Sequence, residues 1–269
     1  MIRFLTERLL QNNHSCKIMD YGCGIGEGVI ALAKAGFAVV GADIEPKYVR
    51  IARSKCAGMG VDRGKIVLVP DGQLPFPSAS FDCIYSNTVL EHVRDVGSYL
   101  SECQRLLKPS GIIFATMPVR FSLMEEHIPL PLAHWLPPGR LRRCYIRALA
   151  REGVHELGRA DLGRYFDGYI SRLNYWSPAT WKAVFRQYFR RVEDVTLEKK
   201  GFEAERLATL GARIFLGLLR FPRLAPALRG LVRLTTTMNL VATEPRSKPA
   251  VTPNPNHGRL IPAEGRAAP

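Results

Sequence analysis

Four glycines and two carboxylates crowd into one stretch near the amino terminus, Asp20-Tyr21-Gly22-Cys23-Gly24-Ile25-Gly26-Glu27-Gly28. Glycine reaches backbone angles closed to other residues and lets a ligand lie against the main chain at the start of a helix. A dinucleotide fingerprint needs Gly-x-Gly-x-x-Gly or Ala. Counting from Gly22 puts Glu27 at the third small position, where a pyrophosphate would lie, and counting from Gly24 is again out of phase. Carboxylates at Asp20 and Glu27 suit a ligand that carries an amine and a sulfonium rather than phosphates. The charges therefore argue against NAD. A tight turn with no ligand is the competing reading of such a loop.

The elements that must hold this loop follow from periodicity. Over residues 1–118 strand-like and helix-like stretches alternate, the pattern of a βαβ architecture. Strands are expected over 17–20, 38–43, 65–69, 81–86 and 111–117, and helices over 27–35, 46–57 and 96–107. Pro46 stands at a tolerated first helical position, and the Lys108-Pro109-Ser110-Gly111 run reads as a turn. Residues 119–175, rich in Pro, Arg and aromatics, read as an irregular and helical insertion. A serine-capped helix from 177 to 188, a strand over 192–198, helices over 203–219 and 224–234, and a last strand over 237–243 complete the pattern. The fold class is α/β, with one domain over 1–244, insertions over 119–175 and 203–234, and a proline-rich tail over 245–269 expected to be disordered.

With these stretches in place, Asp20-x-Gly22-x-Gly24-x-Gly26 resembles the first motif of class I S-adenosylmethionine-dependent methyltransferases. Gly41-Ala42-Asp43-Ile44, Asp71-Gly72-Gln73-Leu74-Pro75-Phe76-Pro77, Asn87-Thr88-Val89-Leu90-Glu91-His92-Val93 and Leu106-Leu107-Lys108-Pro109-Ser110-Gly111 follow in that family's order. The likeness is greatest to the branch of small-molecule methyltransferases that includes the ubiquinone and menaquinone enzymes, and it covers about residues 14–118. Ser110 departs from the usual glycine, in a turn remote from the ligand. The resemblance implies S-adenosyl-L-methionine as cofactor, held by Asp20, Gly22, Gly24, Gly26, Asp43, Ile44, Asp71, Gly72 and Asn87. It implies a doubly wound, seven-stranded, mostly parallel sheet of order 3-2-1-4-5-7-6, with only the last strand antiparallel. The chemistry of these residues agrees: one carboxylate, Asp43, can accept both ribose hydroxyls, and Asp71 can accept from the adenine amino group. A helix cap or turn residue is the alternative for a lone Asp at a strand end.

Methyl transfer from a sulfonium is a direct displacement, so a protein mainly aligns the acceptor and excludes water. A base is needed when the acceptor is a hydroxyl. His92, after the fourth strand, is the first candidate, and packing of a short helix is its competing role. His127 is the second choice, with Glu126 and His134, while Trp135 is a candidate wall for an apolar pocket. A structural lid is the alternative for each. Some quinone-pathway relatives hold a divalent metal through two glutamates and this histidine. Here Thr88 replaces the first glutamate, and no metal is expected.

Charge is unevenly distributed. Of the net +14, residues 119–235 supply +10, from 21 basic and 11 acidic side chains. Arg206, Arg213 and Arg220 recur every seven residues among leucines, a pattern fit for an anionic membrane surface, with a packed hairpin and solvated arginines as the alternative. No nucleic acid partner is expected. The six scattered cysteines contain no Cys-x-x-Cys pair and read as small core residues. The opening residues lack the pattern of a signal peptide, and no apolar run reaches membrane-spanning length, so a cytoplasmic location is expected, with peripheral association at the inner face of the membrane as the alternative. The expected activity is methyl transfer to a small-molecule acceptor, a hydroxyl on a lipid-, quinone-, polyketide- or sugar-like compound. RNA or protein methylation and a non-catalytic cofactor-binding module are the alternatives. Ser86-Asn87-Thr88-Val89, in place of an Asn-Pro-Pro-Tyr-type tetrapeptide, argues against methylation of amino groups on bases or glutamine.

Overall fold

The computed structural model describes residues 1–61, 65–70, 74–120, 124–125, 130–149, 159–200 and 237–246. Its centre is a seven-stranded sheet built from β1 (Lys17–Tyr21), β2 (Ala38–Asp43), β3 (Ile66–Leu68), β4 (Phe81–Asn87), β5 (Leu107–Met117), β8 (Phe189–Asp194) and β9 (Met238–Pro245). The order is β3-β2-β1-β4-β5-β9-β8. Pairs from β3 through β5 are parallel, and β9 runs antiparallel to both neighbours. This is the expected order. A separate short hairpin pairs β6 (Met124–Glu125) with β7 (Leu130–Pro131).

The helices α1 (Glu27–Lys34), α2 (Pro46–Gly58), α3 (Val96–Leu106) and α6 (Pro178–Tyr188) flank the sheet. Apolar side chains on its two faces form two cores. One contains Met19, Ile84, Leu100, Ile113 and Trp181, and the other contains Phe4, Ile18, Val29, Val39 and Phe114. Side chains alternate faces along each strand, so a strand buried on both sides must be apolar throughout, as β4 and β5 largely are. The cap at Ser177 is the expected one, and Asp95 and Glu45 add caps that the sequence reading left out. Ser177 accepts from Thr180 N–H, and Asp95 from Ser98 N–H. Pro46 sits in the first turn of α2, behind Glu45 as cap.

Two expected boundaries are corrected. The turn at 108–111 lies within β5, where pairing steps from Phe81–Leu107 to Cys83–Ile112. Three extra residues thus bulge out, so the run of turn residues distorts the ladder without ending it. The strand expected over 192–198 stops at Asp194, and residues 196–200 are helical. Asp194 accepts from Thr196 N–H at 3.1 Å, and a capping acid there favours a helix start.

The insertion after β5 forms its own body from α4 (Arg140–Leu149) and α5 (Arg159–Ile170). Leu130, Ala133, Ile146, Phe166 and Ile170 make a small core, with Tyr145, Tyr165, Tyr169 and Tyr175 packed against it. Buried Arg142 lies 2.7 Å from the Asp167 carboxylate and also donates to the Asp167 carbonyl and to Ser171. At Gly163 a β-carbon would lie 2.9 Å from the Arg143 carbonyl, so only glycine lets the helices meet this closely. The segments 203–234 and 247–269 lie outside the described residues. β9 continues through Pro245, and Arg246 donates its main-chain N–H to Tyr188 O.

Candidate active site

The C-terminal ends of β1, β2, β4 and β5 converge on the glycine loop. Gly22 N–H and Cys23 N–H both donate to Ala42 O, at 2.8 and 3.0 Å, which ties the loop to the end of β2. The glycines serve different purposes. Gly22 has φ +87°, and a β-carbon there would lie 2.4 Å from Val89. At Gly26, φ +83°, it would lie 3.0 Å from Ala52 on α2, and at Gly28 it would lie 2.3 Å from the Asp20 carboxylate. Gly24, φ +50°, has no atom of the described residues within 4 Å on that side. Three of the four are required by neighbouring protein atoms, and Gly24 alone borders open space.

Asp43 is buried and already organises the loop. Its Oδ2 accepts from Gly24 N–H at 2.8 Å and its Oδ1 from Glu45 N–H at 2.9 Å. Burial raises its pKa, opposed by main-chain donors at Glu45, Gly24 and half-buried Ile44. A carboxylate has about four lone-pair sites, so room remains for further donors such as vicinal hydroxyls. Asp20, at the end of β1, is 3% exposed and accepts from Val29 N–H in the first turn of α1. Burial and the nearby Asp43 push its pKa up to about 7. A cationic ligand group would restore its charge by attraction, which fits these residues to an ammonium-bearing cofactor.

The end of β4 is held in an unusual backbone. Thr88 has φ +52°, a left-handed conformation that β-branched residues rarely adopt. Its N–H donates to Thr116 O at 2.9 Å and its hydroxyl to Asn87 O at 2.7 Å. Thr116 Oγ1 in turn engages Asn87 Oδ1, so the Asn87 amide is oriented by β5. A 3-10 turn, Leu90–His92, follows. His92 is partly exposed, with Nε2 3.8 Å from Oε1 of fully buried Glu91, and its ring is centred 6.0 Å from that of Tyr169.

The structure brings Asp20, the glycine loop, Asp43 and Ile44 together at the C-terminal ends of β1 and β2, with Asn87 and His92 at and just after the end of β4. Asp71, Gly72, Glu126 and His127 lie outside the described residues. His134 is described, stacked on Tyr175 at 4.7 Å with the planes 19° apart. Trp135 is 45% exposed. Among the described residues no three His, Cys, Asp or Glu side chains gather closely enough to hold a metal ion.

Two contributors are absent from the sequence-based expectations. Asn174 donates its amide to Leu90 O and Val93 O, at 3.0 and 2.6 Å, and its main-chain N–H to Glu91 O at 2.8 Å. It clasps the turn that carries His92, from 81 residues further along the chain than Val93. On α3, Arg105 pairs with Glu102 and donates to Phe76 O and Leu74 O, while Glu102 accepts from Leu74 N–H. That pair anchors the segment just after Gln73. Neither role leaves a local sequence signal, because the partners are main-chain atoms far away in sequence.

Residues 19–115 match the family model described as Methyltransferase domain. A ubiquinone biosynthesis O-methyltransferase of Caulobacter vibrioides is 33% identical over 130 residues, which cover 45% of this chain and 50% of that protein. A demethylmenaquinone methyltransferase of Tropheryma whipplei is 35% identical over 95 residues, 35% of this chain and 38% of that protein. The matching part thus spans about half the length of these curated relatives, or less. The crystal structure of the PH0226 protein from Pyrococcus horikoshii OT3 shares the fold, with a TM-score of 0.50 at 16% identity, over 90% of this chain and 88% of that one. The motif at the end of β1 and the acid at the end of β2 both lie within this match, and residues 19–115 are accordingly similar to a methyltransferase domain.

Proposed function

We propose that the protein transfers a methyl group from S-adenosylmethionine to a small-molecule acceptor, a hydroxyl on a lipid-, quinone-, polyketide- or sugar-like compound. The observation that carries this reading is Gly24, which borders open space beside the Asp43 carboxylate at the switch point of the sheet. Asp43 accepts the ribose hydroxyls, Ile44 flanks them, and the main chain at Gly22, Gly24 and Gly26 leaves room for the ligand. Asp71 and Gly72 serve the adenine. Asp20 and Asn87 face the methionine ammonium. The cofactor supplies a methyl group on a positively charged sulfur, whose displacement needs alignment more than activation. His92 takes the proton from the acceptor hydroxyl, with the Glu91 carboxylate 3.8 Å away to favour the imidazolium that results. His127 is the second candidate for that proton.

The names of the relatives, ubiquinone biosynthesis and demethylmenaquinone among them, favour an apolar acceptor. A peripheral membrane role for 203–234 is compatible with that acceptor. No described helix is long and apolar enough to cross a membrane.

Label transfer from S-[methyl-³H]adenosylmethionine into a fractionated extract tests the reading, with label expected in solvent-extractable small molecules. Label in RNA or protein would replace the acceptor class, and binding without transfer would leave a cofactor-binding module. In calorimetry with S-adenosylhomocysteine, Asp43→Ala should weaken affinity by about 1.5–3 kcal/mol, because two hydroxyls lose their acceptor. Undiminished affinity would remove the assignment.

A further inference from the structure

Helix α4 has two unlike sides. Arg142 and Ile146 face inward, the first paired with Asp167 and the second in the core of the insertion. At 3.6 residues per turn, Leu141, Cys144 and Ala148 then share the opposite side. All three are exposed, Leu141 at 63%. Leu149 at the end of the helix is exposed too, as is the indole of Trp135 just before it. Arg140, Arg143 and Arg147, spaced three and four apart, make a stripe along one flank. Arg143 approaches Asp167 only to 3.9 Å and stays 40% exposed. No acidic residue occurs from 130 to 149.

A water-facing helix ordinarily presents polar groups, and scattered single apolar residues need no explanation. Here Leu141, Cys144 and Ala148 share one side of the helix beside the arginine stripe, and exposed Trp135 lies in the turn that precedes the helix. We propose that this face of α4, with Trp135, docks on an anionic lipid bilayer. Leucine and indole enter the headgroup boundary, and the arginine stems run along the apolar surface while their guanidinium groups reach the phosphates. Charge complementarity selects the anionic surface, since α4 offers cations and no anion of its own. α4 packs on α5, which carries Tyr169 beside His92. The docking face and the candidate base thus belong to neighbouring parts of the molecule, which would let an apolar acceptor pass from bilayer to site. This last point rests on the proposed function, whereas the docking itself does not.

The test uses the full chain with two vesicle types, phosphatidylcholine alone and phosphatidylcholine mixed with phosphatidylglycerol. Co-sedimentation is expected with the anionic vesicles, weaker in high salt because screening shortens the attraction. Trp181 is buried and Trp176 partly so, which makes Trp135 the reporter among the described indoles. Its emission should shift to the blue on binding, and Trp135→Phe should abolish most of that shift. Leu141→Glu, and separately the triple change Arg140→Gln, Arg143→Gln and Arg147→Gln, should each lower vesicle affinity by roughly tenfold or more. Unchanged S-adenosylhomocysteine affinity in the same samples would show that the variants are folded. No binding to anionic vesicles, equal binding to both types, or binding undiminished in both variants would overturn the proposal, the last by assigning it to another segment such as 203–234. Vesicle binding without S-adenosylhomocysteine binding would instead defeat the methyltransferase reading and leave this one standing.

Discussion

Between Lys17 and Met117 the groups around the crevice are engaged with main-chain atoms: Asp43 with Gly24 and Glu45, Asp20 with Val29, and Thr88 with Thr116. Across the insertion, residues 130–176, the ties run largely through side chains: Arg142 to Asp167, His134 on Tyr175, and Asn174 reaching carbonyls of the His92 turn. The first region is close to neutral in sequence and the second is basic. A ligand common to a whole family suits a cradle of backbone geometry, which few substitutions can alter without strain. An acceptor peculiar to one protein suits side chains, which can be exchanged on a fixed helical hairpin. The two regions should therefore fail in different ways when altered.

The largest effect is expected where they meet. If His92 takes the acceptor proton, His92→Ala lowers turnover by roughly 10²–10⁴ while S-adenosylhomocysteine affinity stays nearly constant. Single-turnover kinetics with unchanged rates would pass the role to Glu126, His127 or His134, or show that no base is needed. Arg142→Ala leaves Asp167 without its buried partner and should cost roughly 3–5 kcal/mol within the insertion. The separation between regions predicts rapid proteolysis there with cofactor binding retained. Simultaneous loss of both would show that the two regions unfold as one.

Within the first region the glycines divide. Gly22→Ala meets Val89 at a positive φ and should destabilise by about 1–3 kcal/mol, read as a lower melting temperature. Gly24→Ala pays only the left-handed backbone penalty of about 1–2 kcal/mol, but intrudes where the ligand should lie, so cofactor affinity should suffer more than stability. Equal losses in both measurements for both variants would erase the distinction. The smallest effect is one of pH. Asp20 binds protons more tightly in the folded protein, with a pKa near 7 against the ordinary 3.8. The folded state therefore holds the extra proton between those values, and stability falls as pH rises through that window. From pH 6 to 8 the loss is on the order of 1 kcal/mol, and Asp20→Asn should flatten it in denaturant titrations.

Much of the fold was legible in advance. The strand over 38–43 follows to the residue, and the Ser177 cap and Pro46 in the first turn of α2 follow from local chemistry. Local signals mislead where two of them compete. Val192–Glu198 looks like a strand by apolar content, yet Asp194 caps a helix within it. Lys108-Pro109-Ser110-Gly111 looks like a turn, yet pairing with β4 resumes beyond the bulge and keeps the segment in the sheet.

From the sequence alone came the class of fold, the position of the glycine loop and the acids beside it, because glycine spacing, acid placement and strand period are local properties of the chain. Only the tertiary structure decided that Gly22, Gly26 and Gly28 answer to Val89, Ala52 and Asp20 while Gly24 answers to none. It also decided that Trp135 faces outward and that Asn174 holds the turn of His92. These facts depend on which atoms meet across tens of residues, and a side chain's type does not reveal its distant neighbours until packing has chosen them.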